Sequence, residues 1–177
     1  IDAVHEEAFK FEMKQLSNII STELKTMEPN LEIVILETEP LKKVMELGVQ
    51  EGLTKALYAA HNGVYRMSAD IPDLVETSNN VARVLVKDGQ ITILCLTRSS
   101  VESSKMDLAN KLRATFELIG CEVEFSGSYP GWTPNMESSI LKVMRELYVE
   151  LNNEEPHVPA CHAGLECGML GQNYPDM

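Results

Sequence analysis

Two apolar runs, residues 81–86 and 91–97, flank the dipeptide Asp88-Gly89. Asp-Gly accepts the positive φ angles of a type I′ turn, whose twist matches that of the strands it joins, so this stretch is restricted to a tight β-hairpin. Both runs are apolar at successive positions, which predicts a hairpin central in its sheet rather than at a wet edge. Ser99, with Glu102 three residues on, has the spacing of a capping box. The helix that follows carries Val101, Leu108, Leu112, Phe116 and Ile119 on one side, and Gly120 is placed to end it. Residues 121–126 and the β-branched run 31–36 read as further strands. Phe9, Met13, Leu16, Ile19, Ile20 and Leu24 recur at helical spacing within residues 6–27. Pro40 suits the first turn of another helix bearing Leu41, Val44, Met45, Leu53, Ala56 and Leu57, and Asn62-Gly63 closes it. Helices alternating with strands around one tight hairpin predict the α/β class, an α+β sandwich with helices on one face of an antiparallel sheet.

Residues 127–135 gather two prolines, two glycines and the single tryptophan, the composition of a hinge. The expected division is therefore a domain over residues 1–128 and a second segment over residues 129–177. In the second, Asn135 can cap a helix with Ile140, Leu141, Met144, Leu147 and Leu151 facing inward, and Val158 begins a short strand. The formal charge of −12, spread along the 177 residues, argues against nucleic acid, which needs a basic face. No apolar run reaches the length of a membrane span, and the balance suits a cytoplasmic protein. Cys95, Cys121, Cys161 and Cys167 lack zinc-ribbon spacing and are expected to be buried thiols. The chain opens in a helical pattern and stops at Tyr174-Pro175-Asp176-Met177 without a closing element, as a piece of a longer protein would.

The heptapeptide His162-Ala163-Gly164-Leu165-Glu166-Cys167-Gly168 crowds an imidazole, a carboxylate and a thiol among glycines. On a helix, His162 and Glu166 would share a face and could ligate one metal, but the glycines disfavour a regular helix and two residues complete no tetrahedral site. A tight turn with a hydrogen-bonded histidine is the plainer reading. Arg98 stands where an apolar strand meets the start of a helix, where a guanidinium can hold a carboxylate by two parallel hydrogen bonds; an exposed ion pair is the alternative. Thr77, Ser78, Asn79 and Asn80 form a polar cluster that reads most simply as a turn. A thiol hydrolase built on Cys167 and His162 lacks a third group to orient the histidine.

The heptapeptide resembles, almost letter for letter, a segment of the aminoacyl-histidine dipeptidases (Xaa-His dipeptidase, peptidase D), members of the di-metal exopeptidase family that includes carnosinase. Val75-Glu76-Thr77-Ser78-Asn79-Asn80, Leu96-Thr97-Arg98-Ser99-Ser100 and Tyr129-Pro130-Gly131-Trp132-Thr133-Pro134 resemble the same group, in the same order. The resemblance implies a ferredoxin-like lid domain followed by a short return into a catalytic domain. It implies a parent hydrolase acting on dipeptides ending in histidine, with two divalent ions, zinc by expectation, that activate a bridging water. It places Arg98, Asn79, His162, Gly164 and Glu166 as substrate-binding residues, Asn79 being preferred over Asn80. It places no catalytic residue and no metal ligand in this chain, because neither a His-x-Asp pair nor the Glu-Glu pair in its context is found. The segment alone is expected to be inactive, with a dipeptide and a homodimer as the partners implied. A small-ligand-binding module and an oligomerisation domain are the rival readings.

Overall fold

In a computed structural model of the protein, residues 3–36, 39, 43–160, 162 and 166–174 are described, without the side chains of residues 167 and 172. The chain forms two compact units, residues 1–44 and 45–177. The expected boundary at 128/129 falls inside the second unit.

The first unit is dominated by one helix, α1 (Glu6–Leu24), entered through a 3-10 turn. Lys10 pairs with Glu6 one turn away at 2.6 Å, an exposed contact that solvent largely screens. The apolar stripe is present, but none of its residues is buried. Residues 31–36 form no strand, contrary to their composition. Apolar β-branched residues favour a pleated surface, yet a strand exists only when a second backbone supplies the ladder, and no described residue pairs with this run.

The second unit holds α2 (Leu47–Ala59), β1 (Gly63–Met67), β2 (Val75–Lys87), β3 (Gln90–Ser99), α3 (Glu102–Glu117), α4 (Ser139–Asn152) and α5 (Glu166–Asn173). The three strands make an antiparallel sheet in the order β1-β2-β3, so the fold is the α/β class expected. Asp88 (φ 52°) and Gly89 (φ 78°) turn the hairpin, pairing Lys87 with Gln90. β2 is the central strand and β3 is an edge, where the sequence predicted that both would be interior. A register shift between Val81 and Arg83 marks a bulge that bends the hairpin.

Helices α2 and α3 cover one face. Ala56, Ala60, Leu108, Leu112 and Phe116 form the core, with Tyr65, Val81 and Ile93 of the sheet packed against it. Leu108 is wholly buried. Gly120, at φ 80°, ends the α3 segment, and the next amide, Cys121 N–H, donates back to Phe116 O at 3.1 Å, as a glycine C-cap requires.

Several expectations give way here. The Ser99/Glu102 capping box does not form: the N-cap is Val101, and Ser99 Oγ instead accepts from Val101 N–H at 3.0 Å. Pro40 lies outside the described residues, and α2 begins only at Leu47. Residues 121–126 and Val158 are not in strands. A groove of about 630 Å³ lies between residues 121–129, α3 and the outer edge of β3, so residues 121–126 do not reach the ladder. Helix α4 is amphipathic, but Ile140, Met144, Leu147 and Leu151 are exposed rather than inward, because periodicity defines an apolar side without supplying a cover for it. Cys95 is exposed and Cys121 half-buried, both as free thiols, where buried thiols were expected. Cys161 lies outside the described residues, as does the side chain of Cys167. Among the described residues, no helix is long and apolar enough to cross a membrane.

Candidate functional site

The polar cluster read as a turn is instead the first half of β2. Alternation along a strand and pairing across a ladder then assign each side chain to a face. Ser78 lies opposite Arg98, Asn80 opposite Leu96 and Val64 opposite Ser78, on the face away from α2 and α3. Thr77 lies opposite Ser99 and Asn79 opposite Thr97, on the helix-covered face.

The helix-side residues form a buried polar layer. Thr77 Oγ1 is 2.8 Å from both Ser99 Oγ and Ser104 Oγ, which satisfies three hydroxyls that burial would otherwise penalise by about 1–3 kcal/mol each. Asn79 is 3 % exposed. Its Nδ2 donates to His61 O at 2.7 Å and its Oδ1 accepts from Thr97 Oγ1 at 2.9 Å. The pKa of the nearby Cys95 thiol is raised, because partial burial disfavours the thiolate. Asn79 thus braces β2 from beneath.

Above it, Gly63, Val64, Val75, Ser78, Asn79, Asn80, Leu96, Arg98 and His162 line a cleft of about 410 Å³. Sequence reasoning singled out Arg98, Asn79 and His162, and all three border this cleft. Ser78 and Asn80 were not chosen. Strand parity would have found them, since both share a face with the partner positions of Arg98. Ser78 Oγ and His162 Nε2 are 2.8 Å apart, a contact between residues far apart in sequence that ties the glycine-rich segment to the sheet. Arg98 is exposed. Glu166 is the first residue of α5 and is exposed, so it shares no helix with His162 and does not line the cleft. Gly164 lies outside the described residues.

The His162 imidazole is held below its ordinary pKa of 6.5, first by burial and second by the Arg98 cation. Neutral imidazole is therefore the docked form. As pH falls below about 6.5 the unfolded or undocked chain takes up the proton first, so docking weakens progressively. The weakening stops once docked His162 has itself protonated. Arg98→Ala is expected to raise this pKa, read from the His162 ring resonances in an NMR titration; an unchanged value would show that the cation is not its neighbour. Among the described residues, no three His, Cys, Asp or Glu side chains gather as a metal site would require.

No family model matches the chain. Over 159 residues, 90 % of its length, it is 35 % identical to the cytosol non-specific dipeptidase of Escherichia coli (strain K12), covering 33 % of that protein. The crystal structure of an aminoacylhistidine dipeptidase from Vibrio alginolyticus superposes on 99 % of the chain with a TM-score of 0.91 and 33 % identity, covering 36 % of that structure. The chain therefore spans about a third of the length of the relatives it matches.

Proposed function

Starting from the correspondence of this chain to one third of an aminoacyl-histidine-type dipeptidase, we propose that it is the substrate-holding segment of such an enzyme. In this reading Arg98 takes the free C-terminal carboxylate of the dipeptide through its forked donors. Ser78, Asn80 and His162 face the same cleft and can hydrogen-bond the peptide unit or a polar side chain of the substrate. Asn79, preferred from the sequence, acts one layer below by fixing the strand. Gly164 and Glu166 keep the substrate-binding role that the family resemblance gives them, Glu166 entering only if α5 and the cleft approach each other on closure. Preference for dipeptides ending in histidine, a cytoplasmic setting and a homodimer belong to the same proposal.

Two divalent ions, zinc by the same resemblance, would polarise the scissile carbonyl and activate water. The described residues do not fit that role, since no three His, Cys, Asp or Glu side chains among them gather. This segment binds and orients the substrate, and hydrolysis needs ligands from other polypeptide.

The observation that carries the reading is a guanidinium without a hydrogen-bonding or ion-pair partner among the described residues, exposed at a cleft in a chain of net charge −12. In so acidic a protein carboxylate partners are abundant, so an unpaired arginine beside a neutral imidazole is a site open to an anion. The test is an NMR titration of this chain with a histidine-terminated dipeptide and with its C-terminal amide. The acid should perturb Arg98, Ser78 and His162, and the amide should not. Equal perturbation by both, or none by either, removes the carboxylate role.

A further inference from the structure

Residues 128–133 cross the N-terminal end of α3 as an arch, and the chain's composition there limits how that arch can be held. Pro130 has no N–H to donate, and the arch groups that meet α3, Tyr129 O and Ser128 Oγ, act as acceptors. The side chain that meets them is Lys105, in the first turns of α3, at 8 % relative exposure. Its Nζ donates to Tyr129 O at 2.6 Å and to Ser128 Oγ at 3.3 Å. It pairs with Glu102 Oε2 at 2.7 Å and stands 5.9 Å from the Tyr129 ring centroid. A buried ammonium is costly unless its donors are matched, and here the arch and Glu102 match them.

The arch then touches both sides of the cleft's framework. Gly131 rests on the turn after β3 so closely that a Cβ would lie 2.6 Å from Ser100 O and 3.1 Å from Ser99 O. Thr133 Oγ1 donates to the same Ser100 O at 3.1 Å. That turn immediately follows Arg98. Gly168, buried in α5, packs on the arch as well, where a Cβ would stand 3.4 Å from both Pro130 O and Trp132 Cβ. His162 lies just before α5 and ends on Ser78.

We propose that Lys105 is a positioning residue for the cleft: it clamps the 128–133 arch onto the Ser99–Ser100 turn, and the arch seats the segment that carries His162 over Ser78 and Arg98. The Pro/Gly stretch read from sequence as a hinge is thus a fixed bearing at this end. The inference rests on the dipeptide reading only for its effect on substrate, since the clamp itself can be measured without one.

The experiment compares this chain with Lys105→Met, which keeps the aliphatic bulk and removes the ammonium, and with Lys105→Arg. In Lys105→Met, helix content by circular dichroism should be retained. The emission of Trp132, the sole tryptophan, should shift. The His162 pKa, followed by NMR, should move up toward that of a solvated imidazole as the ring loses its cover. Lys105→Arg should restore both. A folded Lys105→Met protein with the wild-type His162 titration and Trp132 emission would overturn the clamp. If Lys105→Met does not fold, Gly131→Ala decides by the same two readings, since its Cβ must push the arch off Ser100; unchanged readings there overturn the proposal equally. Wild-type protein that ignores a dipeptide, while Lys105→Met shifts His162 as expected and Lys105→Arg restores it, would sink the dipeptide reading and leave the clamp standing.

Discussion

Replacing Arg98 by alanine is expected to lower kcat/KM for free dipeptides by about 100- to 1000-fold in a chimaera in which this chain replaces the matching third of the E. coli dipeptidase. The figure follows from losing two charge-assisted hydrogen bonds at about 1.5–3 kcal/mol each, with about 1.4 kcal/mol for each tenfold, once part of that energy is returned by water. Arg98→Lys keeps the charge but not the fork, so it should recover part of the activity and remain roughly tenfold below the parent, one hydrogen bond short. Hydrolysis of a dipeptide amide should be slow in the parent chimaera and should fall no further with either substitution. A chimaera carrying Arg98→Ala that still prefers the free acid by the original margin would place the carboxylate elsewhere. Among the described residues that line the cleft Arg98 is the one permanent cation, and Ser78 directly across the ladder is engaged with His162.

The second large effect is structural. Leu108→Ala should cost about 2–5 kcal/mol, the range for removing a fully buried leucine whose surroundings relax only in part. Leu108 sits at the centre of the cluster formed with Ala56, Ala60, Leu112 and Phe116, and its neighbours come from both helices and the sheet, so no single element can shift to fill the void. Urea unfolding followed by circular dichroism should show a lower midpoint with an unchanged slope. Leu151→Ala in α4 is the control: at 73 % exposure it should stay within about 0.5 kcal/mol of the parent, as surface substitutions do. Comparable losses at the two positions would mean that α4 packs on something in solution.

The features that were legible in the sequence are those fixed by neighbours in the chain. Asp88-Gly89 dictates a turn by its own backbone preferences, and the structure places it at the hairpin tip. The spacing of Leu108, Leu112 and Phe116 determines which side of α3 is buried, and Gly120 marks the end of that segment. The readings that failed depend on partners remote in sequence. Residues 31–36 have strand composition and no ladder. Ile140, Met144 and Leu147 have helical spacing and no opposing surface among the described residues. Thr77, Ser78, Asn79 and Asn80 were read as a turn because polar residues favour turns, but β1 and β3 capture their backbone from either side, and the hydroxyl of Ser99 completes Thr77. That misreading hid the parity that separates Ser78 and Asn80 from Asn79. Arg98 was singled out from its place at a strand end and His162 from its unusual company, and the structure brings both to one cleft. The 2.8 Å link between Ser78 and His162 could not be read from spacing, because it joins residues that only the folded arch brings together.

One practical consequence follows from the length of β2. Ser78 sits near one end and the Asp88-Gly89 tip lies ten positions further on, about 33 Å away at roughly 3.3 Å per residue. A Cβ at Gly89 would meet nothing within 4 Å, so open space surrounds the tip, and solvent-exposed loop tips of this kind accept inserted sequence readily. A fluorophore or affinity handle grafted between Asp88 and Gly89 would give a reporter that leaves the candidate cleft untouched.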